Sequence, residues 1–184
     1  RDAAKAFLPN AKIIIDRFHV VRYCTEAMEN VRRNLQKTLP KAQRKYFKRS
    51  RRLLLAHRDR LSEEDRAAVD VMLRFSDRLL QAYALKEAFY DFMAAPSRDE
   101  AERLMDFWLE ACDRLNLPEF KSCRKMLANW RPYILNAFDI RLSNGFTEGC
   151  NNAIKTLKRL AFGFRSFAVF RTRILLAART HPYI

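Results

Sequence analysis

The sequence of 184 residues is poor in the residues that interrupt helices, with three glycines and six prolines. This scarcity favours long helices over an all-β fold, which needs frequent Gly- and Pro-rich turns. There is no apolar run of about 18 residues and no signal peptide, so neither a membrane span nor secretion is indicated. The four cysteines show no CxxC or CxxH spacing, which is typical of structural cytosolic thiols.

Apolar residues make up 49% of the chain, which indicates a globular protein and excludes a disordered one. The length suits one domain, or one domain with a large insertion. Because the sequence opens without an initiator methionine, directly in helix-like sequence, we expect it to be a fragment of a longer protein.

The net charge of +15 is unevenly distributed along the chain. Residues 1–61 hold 17 basic and 5 acidic residues, residues 62–119 hold 7 and 14, and residues 120–184 hold 12 and 2. Two basic segments therefore flank an acidic one. A basic excess of this size favours a polyanionic partner, most commonly nucleic acid. The alternative is a generally basic surface that serves solubility.

Residues 11–16 are the one segment that the sequence predicts to be a strand, because three consecutive isoleucines follow the turn-like Pro9-Asn10. A short run that is apolar on both faces suits a covered sheet, and its partner strands would have to lie outside this chain. The rest is predicted to be helical: 20–38, 41–58, 62–94 with a possible break, 97–116, 119–130, 146–161 and 166–179, with 132–142 ambiguous. Ser62 is expected to be an N-cap, and Ser97 and Glu100 have capping-box spacing.

Glu148 is the most informative residue. In the strongly basic segment 120–184, the other acid is Asp139. An acid retained beside a phosphate-attracting surface suggests a metal ligand or a general base. All three glycines, Gly145, Gly149 and Gly163, lie in this neighbourhood, so we expect a tight backbone there.

The helix that carries Glu148 is predicted to have two different faces. Its polar face would present a carboxylate, an amide and two cations: Glu148, Asn152, Lys155 and Arg159. An apolar stripe lies about 200° away and would pack against a core: Cys150, Ile154, Leu157 and Ala161. The alternative is an ordinary solvated helix face.

Asp16 ends the predicted strand, and a carboxylate at the carboxyl end of a strand is a common way to place a ligand in an open α/β site. His19 follows three residues later, close enough to share the site. The alternative is that Asp16 is a helix N-cap and His19 a first-turn residue. His57 and His181 have no partners in the sequence, and we interpret both as surface residues.

Three motifs in this order resemble the ISL-three family of bacterial insertion-sequence transposases. They are Asp-Arg-Phe-His-Val at 16–20, Ser-Asn-Gly-Phe-Thr-Glu-Gly-Cys-Asn-Asn-Ala-Ile-Lys-Thr-Leu-Lys-Arg at 143–159, and Phe-Gly-Phe-Arg-Ser-Phe at 162–167. The resemblance covers essentially the whole chain. It implies a fragment that is mainly α: a partial RNase H-like α/β core at 1–20, an all-helical insertion at 21–130, and C-terminal core helices at 131–184.

The resemblance also implies a DDE triad of acids. Asp16 matches the second acid and Glu148 the third, whereas the first lies upstream of this chain. Asp2 is a poor substitute, because it lies only 14 residues before Asp16 and in no predicted strand. In the full-length protein the acids would hold two Mg²⁺ (or Mn²⁺) ions for phosphoryl transfer. The fragment, without the first acid, is expected to bind DNA without cleaving it.

Double-stranded DNA, as transposon ends and target, is the partner that the resemblance implies. It also implies a homo-oligomer on DNA, no membrane association, and a bacterial cytoplasmic protein associated with the nucleoid. Expected DNA contacts are His19, Asn152, Lys155, Arg159, Lys45, Lys48, Arg49, Arg51 and Arg52. For the basic run 41–60, the alternative is a solvated helix. Two rival functions remain: a non-enzymatic helical DNA-binding protein and a decayed transposase remnant.

Overall fold

A computed structural model of the protein describes residues 6–7, 10–140 and 145–180. It divides into two compact units, Arg1–Arg141 and Leu142–Ile184, and each is described by itself. The first contains α1 Arg17–Thr38, α2 Lys41–Arg44, α3 Ser50–Leu55, α4 Glu63–Leu73, α5 Asp77–Ala94, α6 Arg98–Leu115 and α7 Lys121–Asp139, with 3₁₀ turns at Lys45–Phe47, Arg58–Arg60 and Pro118–Phe120. The second contains α8 Gly145–Leu160 and α9 Phe167–Thr180. The mainly α class is thus confirmed.

Serine caps fix the starts of three helices in the acidic middle of the chain. The hydroxyl groups of Ser62 and Ser97 accept hydrogen bonds from the backbone N–H three residues later, as predicted. Ser76 does the same for α5 and accounts for the break within 62–94. Each cap satisfies one of the first-turn N–H groups that a helix cannot pair internally.

The predicted strand does not form: residues 11–16 have no regular secondary structure, and no strand occurs anywhere in the ranges described. A strand requires a neighbouring strand, and α7 supplies the hydrogen-bonding partners instead. The Ile15 N–H donates to the Tyr133 carbonyl oxygen at 3.2 Å, and the Asn136 side-chain amide donates to the Ile13 carbonyl oxygen at 2.8 Å. The segment is therefore a strap held against a helix by hydrogen bonds.

The helix predicted for 41–58 is also wrong, because the chain there is broken into α2, a 3₁₀ turn and α3. Arg49 interrupts it with a left-handed backbone (φ 58°). The break follows from packing: Phe47 and Ser50 are both buried, and the Phe47 ring lies 5.8 Å from the Phe75 ring. The ambiguous segment 132–142 is helical for most of its length, because α7 continues through Pro132 to Asp139.

The core of the first unit lies where α1, α5, α6 and α7 pack together. Trp108 is fully buried there, with its ring 5.4 Å from that of Phe89 and its indole N–H donating to the Leu85 carbonyl oxygen at 2.7 Å. Helix α1 buries Val20, Cys24, Met28 and Val31 at helical spacing. Its opposite face is left for polar groups.

Cys24, Cys112 and Cys123 are buried free thiols, and burial raises the pKa of Cys112, as expected for inert structural residues. Among the helices described, none combines the length and apolar character required to cross a bilayer.

Candidate active-site residues and basic surfaces

Asp16 is the N-cap of α1. Its Oδ1 accepts a hydrogen bond of 2.8 Å from the Phe18 backbone N–H, and its backbone is extended at φ −61° and ψ 129°. This is the structural role that the sequence left open as the alternative. A carboxylate offers about four lone-pair sites on its two oxygens, so one capping bond leaves capacity for a cation. The cap and a role as metal ligand are therefore compatible.

The strap that leads to Asp16 is held by α7. Besides the bonds of Ile13 and Ile15, the Lys12 ammonium lies 2.7 Å from Oδ2 of Asp139, which also accepts from Arg98 at 2.6 Å. These hydrogen bonds, that from Lys12 above all, lower the pKa of Asp139. Asp139, the acid that accompanies Glu148 in the basic segment 120–184, thus belongs to an ion-pair cluster that holds the strap in place.

His19 is exposed in the first turn of α1, three residues after the cap. Its ring meets the ring of Phe18 edge-on, with centroids 5.6 Å apart, and Phe18 is itself 67% exposed. Both side chains are thus exposed in the first turn of α1, within three residues of Asp16, where they can contact a bound partner.

His57, by contrast, is not the isolated surface residue that the sequence predicted. Its Nε2 lies 3.6 Å from a carboxylate oxygen of Asp91 and 3.7 Å from one of Glu87. The folding of 55–60 against α5 creates this cluster, and no sequence spacing signals it. His181 lies outside the described residues.

Helix α8 has the two faces that were predicted. The four residues of the apolar stripe are all half-buried, whereas the polar face is exposed along its length: Glu148, Asn152, Lys155 and Arg159. Glu148 lies in the first turn, where the positive end of the helix dipole favours a carboxylate. Ser143 and Asn144, which open the motif, lie outside the described residues.

The expectation of a tight backbone is confirmed at Gly163, whose φ is +97°. It is wrong for Gly149, which lies inside α8 with no atom within 4 Å of the place where a Cβ would stand. A glycine inside a helix is normally unfavourable relative to alanine. Nothing in the described unit explains its presence there.

Asp16 belongs to the first unit and Glu148 to the second, so their meeting stays a prediction. Both offer the hard oxygen atoms that Mg²⁺ prefers, so the donor chemistry fits this ion. Within the ranges described, no group of three His, Cys, Asp or Glu side chains is placed to hold a metal. The described residues thus provide Asp16 and Glu148 as single oxygen donors, and not as members of a metal-binding cluster.

A basic surface on α3 and the turn before it is formed by five exposed side chains: Lys45, Lys48, Arg49, Arg51 and Arg52. Three of them line a concavity together with Leu55: Arg49, Arg51 and Arg52. Arg52 is paired with Asp65 at 2.8 Å, and Arg51 lies 3.7 Å from Glu29. Lys45, Lys48 and Arg49 form no salt bridge with any residue the structure describes, so their charge is available to a polyanion.

A buried ion pair holds this basic surface in place. Both oxygens of Glu29 accept from the Arg32 guanidinium at 2.7 and 2.8 Å, and Arg32 also donates to the Ser50 hydroxyl at the start of α3, at 3.2 Å. Glu29 and Arg32 are only 7% and 9% exposed. The bonds from Arg32 lower the pKa of Glu29. The sequence signalled the pair only by its i, i+3 spacing, which is usual on exposed helix faces.

The comparisons with known proteins agree with the motifs. The sequence model of the ISL3 transposase family matches residues 1–174. The chain belongs to the ISL-three family of transposases.

Two individual proteins similar to this chain are named as transposases. The transposase for insertion sequence element IS1001 of Bordetella parapertussis is 29% identical over 176 residues, which cover 94% of this chain and 43% of that protein. The transposase for IS1557 of Mycobacterium tuberculosis is 31% identical over 181 residues, covering 86% and 40%. The ISL-three chain thus spans about two fifths of the length of these relatives.

A third relative of the ISL-three chain carries a different name. A protein of Lactococcus lactis named an ATP-dependent protease is 36% identical over 133 residues, which cover 71% of this chain and 38% of that protein. No solved structure matches the chain. The family assignment therefore comes from sequence.

Proposed function

We propose that this chain is part of the catalytic domain of a DDE transposase, with Asp16 as the second acid and Glu148 as the third. Support comes from membership of a transposase family over residues 1–174 and from the exposed polar face of α8. That face sets one carboxylate in line with an amide and two cations. The observation that carries the proposal is this combination in a unit whose only acid is Glu148.

The proposed reaction is phosphoryl transfer on DNA, first as strand cleavage and then as strand transfer. Asp16 and Glu148 would supply carboxylate oxygens to the divalent ions, Mg²⁺ or Mn²⁺, and the first acid would come from outside this chain. When bound, two such ions activate the attacking oxygen and stabilise the leaving one. The proposed frame that brings the acids together is an RNase H-like core interrupted by the helical insertion.

The cations have the complementary role of holding the DNA backbone. Lys155 and Arg159 follow Glu148 along the exposed face of α8, so they would bind phosphates beside the scissile one. Asn152 would donate a hydrogen bond to the DNA from the same face, and His19 would contact the DNA from the first turn of α1. The basic surface of α3 would contact DNA farther along, in a multimer assembled on transposon ends and target.

The 184-residue chain is expected to bind duplex DNA with an affinity that falls steeply as salt increases. Replacing Lys155 and Arg159 together by glutamine should reduce the slope of log K against log salt by about two, because each phosphate contact contributes about 0.9 to it. Fluorescence anisotropy across a salt series measures this slope.

The matched control replaces Arg74 and Arg114, two exposed arginines of the acidic segment, which should leave the slope unchanged. A wild-type chain with no affinity for DNA would contradict the proposal. So would divalent-dependent cleavage by the isolated chain, since two acids of the triad would then suffice or Asp2 would replace the first.

A further inference from the structure

Helix α8 ends in a turn that places an aromatic residue where helices usually have glycine. The Gly163 N–H donates to the Lys158 carbonyl oxygen and the Phe162 N–H to that of Arg159, both at 3.0 Å. This pair of bonds defines a Schellman motif, whose left-handed position is most often glycine. Here Phe162 occupies it, with φ +52°.

The left-handed region is unfavourable for a bulky side chain, so Phe162 requires a compensating role. Packing within the described residues of its own unit does not provide one, because Phe162 is fully exposed there at 101% of the reference area. Phe164, two residues later, shows the contrast: it is half-buried, and its ring lies 4.9 Å from that of Phe170. The turn thus directs one aromatic inward and presents the other to solvent.

Three cationic residues share a concavity with Phe162. Phe162 and Gly163 line a concavity with Lys155, Lys158 and Arg159. The segment 142–184 contains seven basic residues and one acidic residue, an excess that favours a polyanion over a neutral or basic protein surface. An aromatic face among cations is the arrangement by which proteins bind unstacked bases and their phosphates.

We propose that Phe162 stacks on an unpaired base of the DNA, while Lys155, Lys158 and Arg159 bind the phosphates on either side. In an intact duplex both faces of each internal base are already stacked on neighbouring bases. Within the duplex, the Phe162 ring can therefore stack only on a base that is unpaired. Phenylalanine has no hydrogen-bonding group, so the preference is for an unstacked base of any identity. This inference rests on the proposed function, which supplies the DNA.

The test compares the affinity of the 184-residue chain for two duplexes that differ by one unpaired 2-aminopurine nucleotide. Wild type is expected to prefer the duplex with the unpaired base by about tenfold and to quench its fluorescence by stacking. Phe162→Ala should lose both the preference and the quenching while keeping its affinity for the paired duplex. Phe162→Trp should retain both.

Two further variants separate stacking from charge and from location. Phe167→Ala removes another exposed aromatic, at the start of α9, and should leave the preference unchanged. Lys158→Gln should weaken binding to both duplexes by the same factor. Phe162→Gly should lose the preference and unfold at or above the wild-type temperature, because glycine is favoured at this position.

A Phe162→Ala chain that keeps the preference would overturn the inference, and so would a Phe162→Gly chain with a lower unfolding temperature, which would make Phe162 a packing residue. Equal wild-type affinity for the two duplexes would overturn this inference alone. A wild-type chain that binds neither duplex would instead contradict the proposed function.

Discussion

On the proposed function, replacing Glu148 by glutamine in the full-length protein is expected to reduce DNA strand cleavage by about 10²–10³-fold, the cost of removing one group that stabilises charge in the transition state. Glutamine keeps the size and helix propensity of the side chain but removes the negative charge that a divalent ion requires. Because Glu148 is exposed on α8, folding and DNA affinity should remain close to wild type. Cleavage of a transposon end with Mg²⁺ measures the effect, and binding of the same DNA provides the reference.

Asp16 allows a sharper version of the same experiment, because its structural and proposed catalytic roles can be separated. Asparagine caps helices as well as aspartate does, so Asp16→Asn should preserve the bond to the Phe18 N–H and the unfolding temperature. It should nevertheless reduce cleavage as Glu148→Gln does. Glu110→Gln, an exposed helical glutamate of α6, is the matched control and should cleave like wild type.

The outcomes distinguish the rival functions. Asp16→Asn with full activity would make Asp16 a helix cap only and would remove it from the triad. If the full-length wild type binds transposon ends without cleaving them under any divalent condition, the protein is a decayed remnant or a non-enzymatic DNA-binding protein. Activity that survives Glu148→Gln would place the third acid elsewhere.

The elements that sequence predicted correctly are those set by local chemistry. Ser62 and Ser97 cap helices because the needed N–H groups lie three residues away, and the faces of α8 follow from helical spacing alone. The elements that it missed depend on distant partners. The isoleucines at 13–15 have strand propensity, but α7 is what they meet in this chain.

The same difference between local chemistry and distant contacts applies to the candidate site. Motif order identified the family, which the family model confirms, whereas the assignment of Asp16 and Glu148 as acids of the site stays a prediction. The pairing of Asp139 with Lys12 and Arg98, and of His57 with carboxylates of α5, joins residues far apart in sequence. No spacing rule reveals such contacts, since they are created only when the helices pack.

Glu29 is the residue whose substitution has the largest expected effect on stability, because its i, i+3 partner Arg32 is nearly buried. Glu29→Gln should lower the free energy of unfolding by about 3 kcal/mol, because it leaves the nearly buried Arg32 without its charge partner. Glu100→Gln is a matched control, since Glu100 forms an i, i+3 pair with Arg103 whose arginine is 70% exposed. Loss of this exposed pair should leave the free energy of unfolding close to that of wild type. Urea unfolding of both variants measures the difference.

The pH dependence gives an independent check on the same pair. Because Arg32 lowers the pKa of Glu29 in the folded chain, the unfolded state binds the proton more readily, and stability from this pair is fully present above the ordinary pKa of 4.5. It is lost as pH falls through the lower folded pKa. The stability difference between wild type and Glu29→Gln should therefore be constant near neutral pH and shrink below about pH 4.5. A difference that persists unchanged in acid would mean that the variant acts through shape, and not through the charge that ties α1 to the start of α3.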